Sequence, residues 1–115
     1  MSESTLRDIP TRVLNNIRKL ISELSRRFRI VEVYLFGSYA KGTWIKTSDV
    51  DLIIVSPDFE GVPYLKRLDI IYKIEWDLGI TPFIEVIPLT PDEFKRRIEE
   101  SSVLRDARKY WIKIL

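Results

Sequence analysis

A small-residue turn and three carboxylates are the parts of this chain whose types and spacing could do chemistry. Gly37-Ser38 follows the apolar run Val31-Glu32-Val33-Tyr34-Leu35-Phe36, and ten residues separate Ser38 from Asp49-Val50-Asp51, which heads the run Leu52-Ile53-Ile54-Val55. A glycine at a strand exit lets backbone approach a ligand closely. Ser38 adds a hydroxyl and begins a turn whose outward N–H groups attract phosphate oxygens. Side chains two apart on a strand point the same way, so Asp49 and Asp51 share the face that Ile53 and Val55 continue. Two carboxylates about 5 Å apart repel by roughly 3 kcal/mol at an effective dielectric near 20. A bound Mg²⁺ offsets that cost, because it favours one or two carboxylates together with substrate phosphates. Phosphate and metal in one pocket point to nucleotide chemistry and to transfer of a nucleotidyl group.

The plainer reading of Asp-x-Asp is an exposed strand start after a turn, and it is the pairing with Gly37-Ser38 that favours chemistry. Lys41 can add positive charge near Ser38 or be an ordinary solvated lysine. Glu85 lies inside the apolar run Phe83-Ile84-Glu85-Val86-Ile87, and a buried charge needs a partner. It can face the aspartates as general base or third metal ligand; a salt bridge or an edge-strand position are the alternatives. Tyr39 and Trp44 are expected to pack over the sheet rather than stack on a base, and Tyr72 and Trp76 to lie in the core.

The elements that must position these residues alternate in type. Val13, Ile17, Leu20, Ile21, Leu24 and Phe28 recur at helical spacing. Strands are expected at 31–36, 50–55 and 83–87, the last ended by Pro88. The segment 37–48 reads as a turn with one helical turn inside it. A helix follows Pro63, with Leu65, Leu68, Tyr72 and Trp76 as one apolar row, Ile71, Ile74 and Leu78 as the next, and Gly79 as its cap. Thr90-Pro91-Asp92-Glu93 carries the residues of a capping box, starting a helix to about Glu100. The tail 103–115 reads as helix, although 109–114 could alternate as a strand. The expected fold is α/β (α+β): a short mixed sheet of three to four strands covered by helices, one domain over 1–115.

Composition narrows the chemistry further. With 115 residues, 45% hydrophobic and 31% charged, the chain has the balance of a water-soluble domain and no room for a second one. It contains no cysteine and no histidine, so acids, bases and metal ligands must come from carboxylates, hydroxyls, lysine or tyrosine. No apolar run is long enough to span a membrane, no signal-peptide pattern opens the chain, and a cytoplasmic location is expected. Residues 31–91 carry five Lys/Arg against nine Asp/Glu, while 1–30 carry seven against three and 92–115 seven against five. An acidic middle suits a divalent cation; the basic flanks read as solvated helix faces.

Gly37-Ser38, the ten-residue spacer and Asp49-Val50-Asp51-Leu52 together resemble the signature of the DNA polymerase β-like nucleotidyltransferase superfamily, in its minimal nucleotidyltransferase branch. The likeness is specific at the motif and weaker from about Thr11 to Glu100. It implies that Asp49, Asp51 and Glu85 are catalytic and hold two Mg²⁺, and that Gly37 and Ser38 bind a nucleoside triphosphate, ATP being expected; Lys41 is the further nucleotide-binding candidate from its place beside them in the chain. It also implies attack of a hydroxyl on the α-phosphate with release of pyrophosphate. Minimal members are similar to antitoxins that pair with a HEPN-domain protein, some by adenylylating it, so a HEPN-type partner is expected and a nucleic-acid substrate disfavoured. Tyr39, Lys41 and Glu85 depart from the arginines and aspartate common in that branch. The rival is a binding module that neutralises its partner by contact through an exposed apolar tail, Tyr110-Trp111-Ile112 with Ile114-Leu115. A homo-oligomer is left open.

Overall fold

The computed structural model describes residues 8–115. Its element order is α1 (Thr11–Leu24), β1 (Glu32–Phe36), α2 (Gly37–Lys41), β2 (Val50–Val55), α3 (Tyr64–Leu78), β3 (Ile84–Leu89), α4 (Pro91–Glu100), α5 (Ser102–Ala107) and β4 (Ile112–Lys113). The four strands form one mixed sheet in the order β3-β2-β1-β4. β1 runs antiparallel to β2 and β4, and β2 runs parallel to β3. Among the described residues no helix is long and apolar enough to cross a membrane.

Strand alternation sorts the apolar side chains onto two faces. Val33, Leu35, Val50, Leu52, Ile54, Ile84 and Val86 pack with Val13, Ile17 and Leu20 of α1 and Ile71 and Ile74 of α3. Tyr34, Ile53, Val55 and Leu89 pack with Phe94 of α4 and Leu104 of α5. Both faces of β2 are therefore covered, and Ile53, fully buried, contributes roughly 2 kcal/mol through the hydrophobic effect. Asp51 lies two residues before Ile53, on the α4/α5 face, where that cover gives out.

Thr90 caps α4 as its sequence promised. Its hydroxyl accepts from Glu93 N–H, and the Glu93 carboxylate accepts from Thr90 N–H. Glu93 also takes two hydrogen bonds from Arg67 of α3, at 2.6 and 3.2 Å, and Arg67 donates further to the carbonyls of Val62 and Pro88. These bonds hold the Glu93 carboxyl below its ordinary range and tie α3, β3 and α4 together around a guanidinium only 5% exposed.

Four expectations are corrected. β3 does not end at Pro88 but runs to Leu89; it is the sheet's edge, where a residue without an N–H is tolerated. The tail is not a long helix: after α5 it crosses to β1 as β4, with Tyr34 opposite Lys113 and Leu35 opposite Ile112. Within the tail Trp111 packs on Tyr34 and Phe94, at ring separations of 4.4 and 5.8 Å, while Tyr110 and Leu115 stay exposed. Trp76 is not core but 85% exposed, and Leu65 is exposed with it. The buried stripe of α3 keeps the expected Ile71 and Ile74 but is completed by two charged residues, Arg67 and Glu75, in place of the Leu65 and Trp76 row. Phe28 lies beyond the end of α1 and reaches the core from the following turn, its ring packed at a tilt of 57° against Phe59 with centroids 5.0 Å apart.

Candidate active site

The turn after β1 begins as helix. Gly37 opens α2 at φ +72°, and Gly42 closes it at φ +79° with its N–H on Ser38 O. Both torsions lie in the left-handed region that favours glycine. At Gly37 there is a second reason for glycine. A Cβ there would run into Asp51 Oδ2 and lie 3.0 Å from Asp51 Cγ and 3.3 Å from its Cβ. The missing side chain is the space that the Asp51 carboxylate occupies.

Register sets the rest. Phe36 stands opposite Asp51 on one side and Glu85 opposite Asp51 on the other, so Asp51 is the centre of a row that crosses three strands. Asp51 is half-buried, while Asp49 and Glu85 are exposed. Burial is the largest cause raising the Asp51 carboxyl from its ordinary 3.8 to about 6, followed by the negative charges of Glu85 and then Asp49. Asp51 thus feels the charge of both other carboxylates. The cost expected for a buried Glu85 is not incurred, because its side chain reaches solvent from the edge strand. Among the described residues no group of three or more carboxylates lies close enough to hold a metal ion by itself. The donor set nonetheless fits a hard cation: carboxylate oxygens, with the Asp51 carboxyl raised by burial and by its two acidic neighbours.

A hollow of about 380 Å³ adjoins Gly37, lined by Phe36 and Lys41 on one side and by Ser102, Val103, Asp106 and Ala107 on the other. Lys41 Nζ lies 3.6 Å from Asp106 and 5.2 Å from the centre of the Tyr110 ring. Lys41 is therefore engaged by α5 and the turn after it. Ser48 uses its hydroxyl to accept from Ile45 N–H, closing the loop before Asp49. Tyr39 is buried and Trp44 stacks on it at 5.3 Å, which is packing, as expected.

Sequence reasoning missed the α5 wall of the hollow. Nothing in 102–107 carries a chemical motif, and its place beside Gly37 follows only from the path of the chain into β4. It also missed Glu75, buried on α3; its position four residues after Ile71, on the helix stripe that Arg67 begins, is the signal that could have found it.

The short mixed sheet, the Gly-Ser turn against Asp51 and the carboxylate row define a nucleotidyltransferase. The chain belongs to the nucleotidyltransferase domain family, whose profile matches residues 17–110. Among curated relatives it is similar to a Methanocaldococcus jannaschii protein named as a protein adenylyltransferase, MJ0604, with 31% identity over 98 residues, covering 80% of this chain and 91% of that one. It is also similar to protein adenylyltransferase MntA of Thermococcus cleftensis, with 39% identity over 59 residues, covering 50% and 57%. It spans only 5% of caffeine-induced protein 16 of Schizosaccharomyces pombe. Among solved structures, one described as a nucleotidyltransferase from Sulfolobus solfataricus superposes with TM-score 0.52 at 26% identity, covering 76% of this chain and 80% of that one. A toxin–antitoxin structure with AMP-PNP shares the fold at TM-score 0.58 and 22% identity, covering 88% and 71%.

Proposed function

We propose that this chain is a divalent-metal-dependent protein adenylyltransferase that moves AMP from ATP to a hydroxyl on a protein partner, as the antitoxin of a pair whose other member is a HEPN-type protein. The single observation that carries the reading is the Asp51 carboxylate, seated in the space left by Gly37 and raised to about 6 by its burial and by Glu85 and Asp49. A site with that much uncompensated negative charge suits a cation-bound triphosphate. The names of the relatives support the adenylyl group and the protein acceptor. The toxin–antitoxin neighbour with AMP-PNP supports a nucleotide and a partner.

In this reading Asp49 and Asp51 would hold Mg²⁺, with Glu85 as the third carboxylate. The metal, when bound, polarises the α-phosphate and neutralises charge developing on the leaving pyrophosphate. Gly37 and Ser38 receive the phosphates close to the backbone, and Lys41 faces the same hollow. The acceptor oxygen forms a bond to the α-phosphorus, the bond from that phosphorus to the bridging oxygen of pyrophosphate breaks, and the hydroxyl proton passes to the carboxylate row. Asp51 serves the site only when ionised, so transfer should rise as pH passes through its raised range, about 6.

One observation favours the rival, a partner-binding module of weak catalysis: Lys41 is held by Asp106, and the three carboxylates do not close into a ready-made ligand set. ATP labelled at the α-phosphate separates the two readings. It is incubated with Mg²⁺ and a lysate of the source organism, with wild type beside Asp51→Asn. Label on a protein only with wild type supports adenylyl transfer. Absence of label above the variant, with a partner shown by co-purification to be present, supports the rival.

A further inference from the structure

A second hollow, of about 370 Å³, opens where α3 ends and β3 begins, lined by Glu75, Trp76, Gly79, Ile80, Thr81 and Phe83. Its walls are aromatic and open. Trp76 is 85% exposed, and Phe83, whose ring packs on Tyr72 at 4.9 Å, is still 42% exposed. Gly79 leaves its side clear, since a Cβ there would meet nothing within 4 Å.

Glu75, in the same lining, is 3% exposed. Its Oε1 accepts from Ile84 N–H at 2.9 Å. Its Oε2 is buried with no hydrogen-bond partner, alone in this among the side-chain atoms described. A buried carboxylate oxygen without a donor costs more than almost any other polar group left unpaired. The nearest ammonium on the same helix, Lys73, is tied to Asp77, and none of the six lining residues is basic. The hollow thus offers a buried carboxyl group with one oxygen lacking a donor, flanked by aromatic faces.

A guanidinium meets both needs at once. Its plane stacks on an indole, and its N–H groups make charge-assisted bonds to a carboxylate. We propose that this hollow binds an arginine side chain of a partner protein, stacked on Trp76 and donating to Glu75. A protein rather than a free amino acid is the occupant because Leu78, exposed at the end of the same helix, adds apolar surface for the residues flanking the arginine. The proposal does not depend on adenylyl transfer, since none of these residues belongs to the carboxylate row.

The test is an amide and indole NMR titration of the full chain with three probes: Ala-Arg-Ala, Ala-Lys-Ala and Ala-Leu-Ala, each blocked at both ends. The expected result is saturable shifts of the Trp76 indole N–H and the Ile84 amide with the arginine peptide, at least ten-fold tighter than with the leucine peptide. Trp76→Ala should weaken binding at least five-fold, and because Trp76 is exposed that variant keeps its fold. Glu75→Gln should do the same while leaving the Gly37 and Asp51 amides unmoved. Equal binding of arginine and leucine peptides would overturn the proposal in favour of a merely apolar hollow. Equal binding of lysine would overturn the choice of arginine. No saturable shift with the arginine peptide, or no effect of Trp76→Ala, would overturn the site itself.

Discussion

Gly37→Ala tests the join between backbone and carboxylate on which the site rests. Alanine at φ +72° sits in the left-handed region and costs about 1–2 kcal/mol on that ground alone. Gly61, at φ +78° with nothing within 4 Å of an added Cβ, isolates this backbone cost, so Gly61→Ala should destabilise by about 1–2 kcal/mol and leave transfer intact. At Gly37 the new methyl also meets Asp51. The contacts with Asp51 Oδ2 and with Cγ at 3.0 Å are the ones the methyl cannot keep, so the half-buried carboxylate must be forced aside. Overpacking of that kind adds about 1–3 kcal/mol, for a total of about 2–5 kcal/mol. The added part should vanish when Asp51 is also alanine, because Cγ and Oδ2 are then gone. Urea unfolding of wild type, Gly37→Ala, Asp51→Ala and the double variant forms the cycle, with a coupling of about 1–3 kcal/mol expected. Label transfer by Gly37→Ala should fall about 100-fold, the usual effect of moving a reacting group by an ångström. Additive losses in the cycle, or equal destabilisation by Gly37→Ala and Gly61→Ala, would refute the reasoning.

Four further outcomes follow from the same geometry. The Asp51 carboxyl, raised from 3.8 to about 6, binds its proton more tightly folded than unfolded, so its ionisation opposes folding as pH rises through that window. Asp51→Asn should match wild type below about pH 4 and be more stable above pH 6, by on the order of 2 kcal/mol after allowing for partial exposure; urea midpoints across pH check it. Glu75, raised from 4.5 to about 7 by burial against the lowering effect of Ile84 N–H, has the same sign. Glu75→Gln should gain up to about 3 kcal/mol between pH 4.5 and 7 and nothing below, read by thermal unfolding. Arg67→Ala strands the Glu93 carboxylate and the Pro88 carbonyl, and should lose about 3–5 kcal/mol in urea unfolding. Removing residues after Lys109 deletes β4 and the Trp111 packing on Tyr34, and should lower the unfolding midpoint, not merely abolish a contact with a partner.

The site was legible in the sequence where local chemistry and strand alternation were enough. Asp51, two residues before Ile53 on β2, had to fall on the Ile53 face, whereas Asp49 lies just before the strand; Thr90 to Glu93 could only be a helix start. Glu85 was legible as a candidate, but its place beside Asp51 is a matter of strand register, which depends on how β2 and β3 pair rather than on either strand alone. α3 was misread for a physical reason: Arg67 and Glu75 hold its buried stripe by hydrogen bonds, whereas hydropathy assigned burial to the row containing Leu65 and Trp76. The alternation over 109–114 allowed a strand beside the helix reading, and what makes the two residues of β4 a strand is pairing with β1. The Lys41–Asp106 pair joins residues 65 positions apart in the chain, beyond the reach of any local pattern.

The most direct test of the central claim is calorimetric titration of the chain with an ATP analogue whose α,β bridge cannot be cleaved, in Mg²⁺ and in EDTA, for wild type and Asp51→Asn. The account predicts binding that requires Mg²⁺ and is lost, at least ten-fold, in the variant. Equal affinity with and without the metal, or in both proteins, would contradict it.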